Sequence, residues 1–163
     1  MASDLEYITS GTADNVTSFT LSNMFSDKYD YYQVLVTGNG SQNVGSISAE
    51  FLDSSNADIA QGAYEYATYR LKPTGTFDQI RATTGNSFEL VYTTASDYDF
   101  GMILNVYTPF QSDRYTFATI EASSRYAAKG VVVAKSTTSA TGMKFYANQN
   151  WTPITVTSYG VKK

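Results

Sequence analysis

The sequence predicts an all-β fold: an antiparallel β-sandwich, jelly-roll-like, with about 8–11 strands, in a single domain that spans residues 1–163. Apolar runs of about five to nine residues recur every ~10 to 20 residues, separated by clusters of Gly, Asn, Ser and Asp. Serine and threonine together form roughly a quarter of the chain, and β-branched threonine favours strands over helices. Hydrophobic residues make up 42% of the chain, which suffices for one buried core.

These runs and the turn residues between them predict a series of strands. In chain order they cover Leu5–Thr9, Val16–Leu21, Tyr31–Thr37, Ile47–Leu52, Ala63–Leu71, Phe88–Thr94, Phe100–Tyr107, Tyr115–Ala122, Ala127–Ala134, Met143–Tyr146 and Ile154–Tyr159. In two of them a two-residue period separates an inward from an outward face, which is typical of a strand. The side chains predicted to face the core are Tyr32, Val34 and Val36 in one strand, and Met102, Leu104 and Val106 in the other. Asn105 and Tyr107 are predicted to face outward.

Two further segments carry local signals. Gly38–Ser41, with the sequence Gly-Asn-Gly-Ser, lies between two strand-like runs and predicts a hairpin turn. Pro73–Thr84 places Phe77, Ile80 and Arg81 at positions i, i+3 and i+4. This spacing leaves two interpretations open: a short helix, or a long connection over the sandwich.

The composition argues against catalysis. The chain has no histidine and no cysteine, so it lacks an imidazole base, a thiolate nucleophile and the usual zinc ligands. Neighbouring hydroxyl and basic residues at Ser123–Arg125 and Lys135-Ser136 give no sign of a catalytic dyad. A carboxylate pair could hydrolyse a glycoside without histidine, and the candidates are Glu65, Glu89, Asp97, Asp99 and Glu121. The alternation around Glu65 and Glu89 puts these two carboxylates on the solvent face or opposite Arg70 or Arg81. We therefore expect no catalytic residues, no cofactor and a protein that is not an enzyme.

Calcium is the one metal for which the sequence offers oxygen ligands. Asp53–Asp58 is rich in Asp, Asn and Ser, but Ala57 occupies a position where a ligand is needed, and no glycine or terminal glutamate follows in register. Asp97-Tyr98-Asp99 provides a second acidic pair. The prediction is that the chain has no metal site.

The charge distribution limits the partners. The net charge is −4, and lysines and arginines are scattered singly except for the final Lys162-Lys163, so no basic stripe is present for nucleic acid. An acidic surface also suits anionic membranes poorly, and no apolar run approaches the ~20 residues of a membrane-spanning helix. The first residues lack a basic region and an apolar region, so we expect no signal peptide and synthesis in a cytoplasm.

Tyrosines are the strongest indication of a binding surface, since the chain contains 14 of them. The residues predicted to contact a partner protein are Tyr29, Tyr31, Tyr64, Tyr66 and Tyr69. An alternative stays open, in which about half of the tyrosines fill the core and only their hydroxyls reach the surface. Residues 1–7 are predicted to form a possible N-terminal docking arm, with Leu5 and Tyr7 in contact, because an extended arm can add a strand to a sheet edge.

Three stretches resemble a set of virion proteins from tailed bacteriophages, particularly marine and cyanobacterial ones. They are Phe25–Val34, Phe100–Phe110 with its Asn-x-Tyr-x-Pro-Phe turn, and Thr141–Phe145 followed by Ile154–Lys162. Asp53–Asn86 matches no part of that set. The resemblance implies a jelly-roll-like structural protein at the virion surface and transfers no catalytic residue.

The function implied by this resemblance is capsid decoration, in which the chain binds the major capsid protein or other virion proteins and stabilises the lattice. A homo-oligomer, by analogy a trimer, is expected, since many copies convert weak contacts into avidity. The alternative is a tail-fibre or receptor-binding domain that presents tyrosines and Trp151 to a cell-surface glycan. A third interpretation, a carbohydrate-binding module of a secreted enzyme, fits less well without a signal peptide or linker.

Overall fold

A computed structural model describes residues 5–40, 45–93 and 99–161 of the chain. Within these ranges every assigned secondary-structure element is a β-strand, and the paired strands run antiparallel. The strands are β1 (Leu5–Ala13), β2 (Val16–Leu21), β3 (Tyr31–Gly40), β4 (Gly45–Leu52), β5 (Tyr64–Leu71), β6 (Phe77–Gly85), β7 (Phe88–Thr93), β8 (Asp99–Tyr107), β9 (Thr116–Ser123), β10 (Ala127–Ala134) and β11 (Gly142–Val161). The predicted fold class, an antiparallel, jelly-roll-like β-sandwich, is confirmed.

The longest strand, β11, belongs to two sheets. Its first part, Gly142–Ala147, pairs with β4, and β2 borders the same part on the other edge. Its second part, from Trp151 onward, pairs with β3 and β1. The register shifts between Tyr146 and Trp151 against β2, and between Trp151 and Ile154 against β3. Such irregularities bend a strand, so β11 can pass from one sheet into the other.

The strands therefore form a large and a small sheet that share β11. The large sheet has the order β1-β11-β3-β8-β9-β10-β5-β6, and the small sheet has the order β2-β11-β4-β7. Strand β7 packs against β5, β9 and β10, so the inner faces of the two sheets enclose one core.

Alternating side chains from both sheets fill this core. All six residues predicted to face inward are buried, which confirms the alternation in β3 and β8. The other fully buried aromatic side chains of the described residues are Phe51, Tyr64, Phe88, Phe145 and Trp151. The ring centroids of Phe51 and Phe88 are 5.3 Å apart, within the range of favourable aromatic pairs.

Two elements differ from the prediction. The strands predicted at Met143–Tyr146 and Ile154–Tyr159 are one strand, because partners on both edges keep the chain extended between them. Pro73–Thr84 is neither a helix nor a long connection: after a turn that contains Gly75 at φ 76°, the chain forms β6. Alternation in β6 puts Phe77 and Ile80 on opposite faces, so their spacing of three residues does not reflect a helix.

The predicted hairpin at Gly38–Ser41 is also wrong. Gly38 lies within β3, Ser41 lies outside the described residues, and β3 and β4 pair with different parts of β11 and not with each other. A Cβ atom at Gly38 would come within 2.6 Å of both the Phe100 ring and the carbonyl oxygen of Pro153. Glycine is needed here because neighbouring groups approach the backbone closely, and not because the chain turns.

The two faces of β8 provide a test of the sandwich. Replacing the buried Leu104 by alanine is expected to lower the free energy of unfolding by about 2–5 kcal/mol, because it leaves a cavity between the sheets. The adjacent Ile103 faces solvent on the same strand, so Ile103→Ala should cost under about 1 kcal/mol. Urea unfolding of both variants measures the difference, and equal losses would contradict the assigned faces.

Candidate functional site

The candidate site lies on the solvent-facing side of the large sheet, which is called the outer face below. In each strand of this sheet the core takes alternate side chains, so the remaining ones project into solvent. Antiparallel register then lines these outward residues up in rows across the strands. One row consists of Phe77, Leu71, Ala127, Ser123, Gly101 and Thr37. The next consists of Gln79, Tyr69, Lys129, Glu121, Ile103 and Leu35.

Small side chains in the first row leave an apolar groove of about 680 Å³. Tyr69, Leu71 and Phe77 line the groove from the β5 and β6 side, and Ile103 and Leu35 line it from the β8 and β3 side. Ala127, Ser123, Gly101 and Thr37 lie between these larger side chains. The groove thus results from four consecutive small residues in one row, bordered by larger side chains of β5 and β6 and of β8 and β3.

Gly101 contributes directly to the depth of the groove. A Cβ atom built on Gly101 would meet no atom within 4 Å, so neither packing nor a close neighbour requires glycine at this position. The backbone φ angle of Gly101 is also not positive. A larger side chain at residue 101 would therefore project into open groove space without strain in the strand.

Four large apolar side chains of the groove lining are exposed. Phe77 is 74% exposed, Tyr69 62%, Leu71 45% and Ile103 37%, and all four belong to one contiguous lining. Single exposed apolar residues are common on soluble proteins, but a contiguous patch marks a site of interaction. The ion pair between Lys129 and Glu121, with 2.7 Å between Nζ and Oε1, lies within this surface and is itself well exposed.

An aromatic row occupies the opposite end of the outer face. The rings of Tyr31 and Tyr107 stack with centroids 5.0 Å apart, and those of Tyr107 and Phe117 stack at 4.8 Å. Because neighbouring rings cover each other's faces, the row presents ring edges to solvent. Such a row stabilises the sheet through cross-strand contacts and offers little ring face for a ligand to stack on.

A polar network borders this aromatic row. The hydroxyl of Tyr31 donates a hydrogen bond of 2.6 Å to Oδ1 of Asn105, and Gln33 donates to the same oxygen over 3.4 Å. Nδ2 of Asn105 donates in turn to Oγ1 of Thr119 at 3.1 Å. The amide of Asn105 is thereby held in one orientation on the outer face, next to Gln33 in the neighbouring strand β3.

The structure separates the predicted contact residues into exposed and buried ones. Leu5, Tyr7 and Tyr69 are exposed, and Tyr31 and Tyr66 are partly buried. Tyr29 and Tyr64 are core residues, which corrects the expectation that they contact a partner. Tyr29 packs edge-on against the ring of Tyr32 with centroids 5.7 Å apart.

Tyr64 is held in the core by two hydrogen bonds. Its hydroxyl donates to Oδ1 of Asp58 at 2.7 Å and accepts from the backbone N–H of Phe51 at 2.8 Å. A buried hydroxyl needs such partners, and here it also satisfies a backbone group of β4. Tyr64 therefore fits the alternative interpretation, in which some of the tyrosines fill the core. Its hydroxyl, however, does not reach the surface.

The described part of the predicted arm is a strand of the chain's own sheet. Leu5 pairs with Val161 and Tyr7 with Tyr159, both in β11. Residues 1–4 lie outside the described residues. Docking by the arm stays a prediction, and it now concerns an edge strand with two exposed apolar side chains.

The carboxylates considered for catalysis each have a neighbouring partner where the structure describes them. Glu65 pairs with Lys135 at 2.8 Å, Glu121 with Lys129 at 2.7 Å, and Oε1 of Glu89 lies 3.6 Å from Nη1 of Arg70. Asp99 accepts a hydrogen bond of 2.9 Å from Asn39, and Asp97 lies outside the described residues. Burial raises the pKa of the Glu89 carboxyl, which a hydrogen bond from Ser46 and the charge of Arg70 partly oppose.

The acidic loop considered for calcium binds its own backbone. Oδ1 of Asp53 accepts hydrogen bonds from the N–H groups of Ser55 and Ala57 at 2.7 and 3.0 Å. These bonds lower the pKa of Asp53 together with one from the Ser55 hydroxyl. Within residues 5–40, 45–93 and 99–161, no three acidic side chains lie close enough to hold a metal ion. None of these ranges contains a helix long and apolar enough to span a membrane.

Sequence reasoning missed most of the groove. Ile103 and Leu35 follow from the alternation already seen in β8 and β3, because they lie on the outward positions. Leu71 and Phe77 become neighbours only when β5 and β6 form a hairpin. The residue pattern of Pro73–Thr84 does not predict β6. The open space at Gly101 depends on the small residues of neighbouring strands, such as Ser123 of β9 and Thr37 of β3, so no local pattern indicates it.

Comparisons with known proteins extend only to the fold. No protein-family model matches the chain, and no curated protein sequence does. Exo-inulinase from Aspergillus awamori resembles it with a TM-score of 0.47 and 11% identity, over 96% of this chain and 29% of the inulinase. Carbohydrate-binding module CBM66 from Bacillus subtilis gives 0.37 and 10%, over 97% and 93% of the two chains.

A phage-derived structure has a similar likeness. The SPBc2 prophage-derived protein YomS gives a TM-score of 0.34 and 10% identity, over 99% of this chain and 98% of YomS. The chain spans only 29% of the length of the exo-inulinase that it matches. At these identities the similarity concerns the β-sandwich fold alone.

Buried tyrosine hydroxyls predict a loss of stability at high pH. Burial raises the pKa of Tyr146 to about 12 and that of Tyr64 further, above the ordinary value of 10.0. The folded state thus keeps phenol protons that the unfolded chain releases, so stability is intact below pH 10 and falls as the pH rises from about 10 to 12. Each tyrosine contributes at most about 1.4 kcal/mol per pH unit.

Urea midpoints across this pH range measure the slope. Tyr64→Phe should flatten it, although the variant loses stability at all pH values because the Phe51 N–H is left without its partner. Tyr69→Phe, at an exposed position, is the matched control. A slope that Tyr64→Phe leaves unchanged would show that the Tyr64 hydroxyl is not the group responsible.

Proposed function

We propose that this chain is a non-enzymatic structural protein of a bacteriophage virion, and specifically a capsid decoration protein that binds the major capsid protein through the outer face of its large sheet. The apolar groove is the observation that carries the proposal. Tyr69, Leu71 and Phe77 expose contiguous apolar surface at a free energy cost in water. A partner that covers this surface would recover that free energy.

The chemistry of the outer face supports binding over turnover. The carboxylates near it are engaged in ion pairs or hydrogen bonds, such as Glu65 with Lys135 and Glu121 with Lys129. A catalytic carboxylate pair would instead need one group that is free to donate a proton. The sequence supplies no histidine or cysteine as a substitute.

The virion setting comes from the resemblance of Phe25–Val34, Phe100–Phe110 and the C-terminal stretches to tailed-phage virion proteins. In that setting each copy would contact the capsid lattice through one groove of modest area. Many copies on one symmetric lattice would raise the overall affinity through avidity. Aromatic anchors such as Phe77 and Tyr69 are the residue types that dominate the energy of protein contacts.

Filling the groove tests the proposal. Gly101→Leu is expected to weaken binding to purified capsids of the encoding phage at least about tenfold, because the new side chain occupies the groove. Stability should change little, since the open space around Gly101 requires no displacement. Co-sedimentation with capsids and urea unfolding measure the two quantities.

Ser18→Leu is the matched control for this experiment. It adds the same side chain at an exposed position of β2 in the small sheet, away from the groove. Ser18→Leu should bind capsids like the wild type. Wild-type binding that Gly101→Leu leaves intact would rule out the groove, and absence of the wild-type chain from capsids would rule out decoration.

A second candidate function is recognition of a cell-surface glycan by a tail-fibre domain. The polar network around Asn105 favours it, because a preoriented amide beside tyrosines can bind sugar hydroxyls. In that case a glycan array should retain the wild type and Gly101→Leu but not Asn105→Ala. Failure of the wild type to bind any glycan would leave this candidate without support.

A further inference from the structure

Strand β6 forms one edge of the large sheet. It pairs with β5, and within the described ranges no strand pairs with its other side. Residues from Phe77 to Ala82 keep an unbroken register with β5, and the irregularity lies beyond them, between Tyr64 and Tyr66 of β5. Alternate residues of this six-residue stretch therefore present backbone N–H and C=O groups in a regular edge.

The other edges are less regular. The β1 edge has a register shift between Tyr7 and Thr9, and the edge strands of the small sheet, β2 and β7, also pair across register shifts. Such irregularities hinder edge pairing. The longest unbroken register of β1 covers the five residues Thr9–Ala13, against the six residues Phe77–Ala82 in β6, so β6 is the edge best suited to accept a further strand.

We propose that two copies of this chain associate through their β6 edges. The two strands pair antiparallel about a twofold axis at Gln79, and the two large sheets become one continuous sheet. The same surface serves both partners, so the contact is isologous and closes at two copies. This pairing is tested by the oligomeric state and not by capsid binding, and it shares Phe77 with the groove proposed to bind capsids.

Charge disfavours two registers of this pair. A twofold axis aligns residues of the same face, so one residue of β6 lies opposite itself. An axis at Asp78 or Arg81 would place like charges directly opposite each other, which is unfavourable. An axis at Gln79 instead sets two amides side by side, and it places Arg81 of each copy opposite Phe77 of the other.

This arrangement covers the most exposed large apolar side chain of the described residues. Phe77 projects from the outer face at the edge itself, where Arg81 of the second copy would lie against its ring. A guanidinium over an aromatic ring is a favourable contact. Asp78 faces the other side, where Arg70 holds it at 2.6 Å, so the pair leaves this ion pair undisturbed.

The strand that pairs with β6 is thus β6 of a second copy. The resulting assembly is a dimer, in place of the trimer expected by analogy. Asp78 and Arg81 lie on different faces of β6. Two β6 strands can therefore pair favourably only in a register that keeps Asp78 away from Asp78 and Arg81 away from Arg81. The apolar wall of Leu71 and Phe77 continues across the axis into the same wall of the second copy. A threefold assembly would require a different, heterologous surface.

The absence of cysteine allows a direct test with single cysteines. Gln79→Cys should form a disulfide-linked dimer under mild oxidation, because directly opposed residues of antiparallel strands lie within disulfide range. Ser10→Cys, exposed on the opposite edge strand β1, is the matched control and should stay monomeric. Equal cross-linking of the two variants would overturn the proposed interface.

Light scattering of the full-length chain provides the second measurement. The wild type should have twice the monomer mass, while Gln79→Lys and Gln79→Glu should each fall twofold to the monomer mass because like charges meet on the axis. A mixture of the two variants should recover the dimer through opposite charges. A wild type at one or three times the monomer mass, or a dimer that Gln79→Lys leaves intact, would refute the pairing.

Discussion

The pairing of β11 with four other strands is the constraint on which the rest of the structure depends. Its first part holds β2 and β4, and its second part holds β1 and β3. Trp151, where the register shifts, is fully buried, so the bend between the sheets is also an anchor in the core. Loss of this strand would leave each sheet with an inner face but no shared element to keep the two faces in contact.

The outer face follows from the same register. Once β3, β8, β9, β10 and β5 are aligned, small residues such as Gly101 and Ser123 fall beside one another, and larger ones surround them. Strand β6 is held in this arrangement by Arg70, which reaches Asp78 in β6 and Glu89 in β7. Such largely buried ion pairs add little net stability but fix geometry when complete. The groove and the β6 edge are therefore consequences of one packed corner of the sandwich.

Particular residues show which features of the fold the sequence alone predicts. Alternation in β3 and β8 identified Val34, Val36 and Leu104 as core residues, because a two-residue period reports burial directly. The same logic could not distinguish Tyr64 from Tyr69, since aromatic residues suit both faces of a strand. Only their places in the sandwich assign Tyr64 to the Phe51 and Phe88 cluster and Tyr69 to solvent.

Local properties of the chain determined the all-β class, most strand positions and the lack of imidazole and thiol chemistry, because these depend on residue type and short-range period. The tertiary structure alone decided the union of two predicted strands in β11, the identity of β6 and the site at Gly101. The union in β11 and the site at Gly101 arise from pairings between segments far apart in the chain, and β6 is defined by its pairing with β5. The open space at Gly101 exists because neighbouring strands carry small side chains in one register, and register is a property of the assembled sheet.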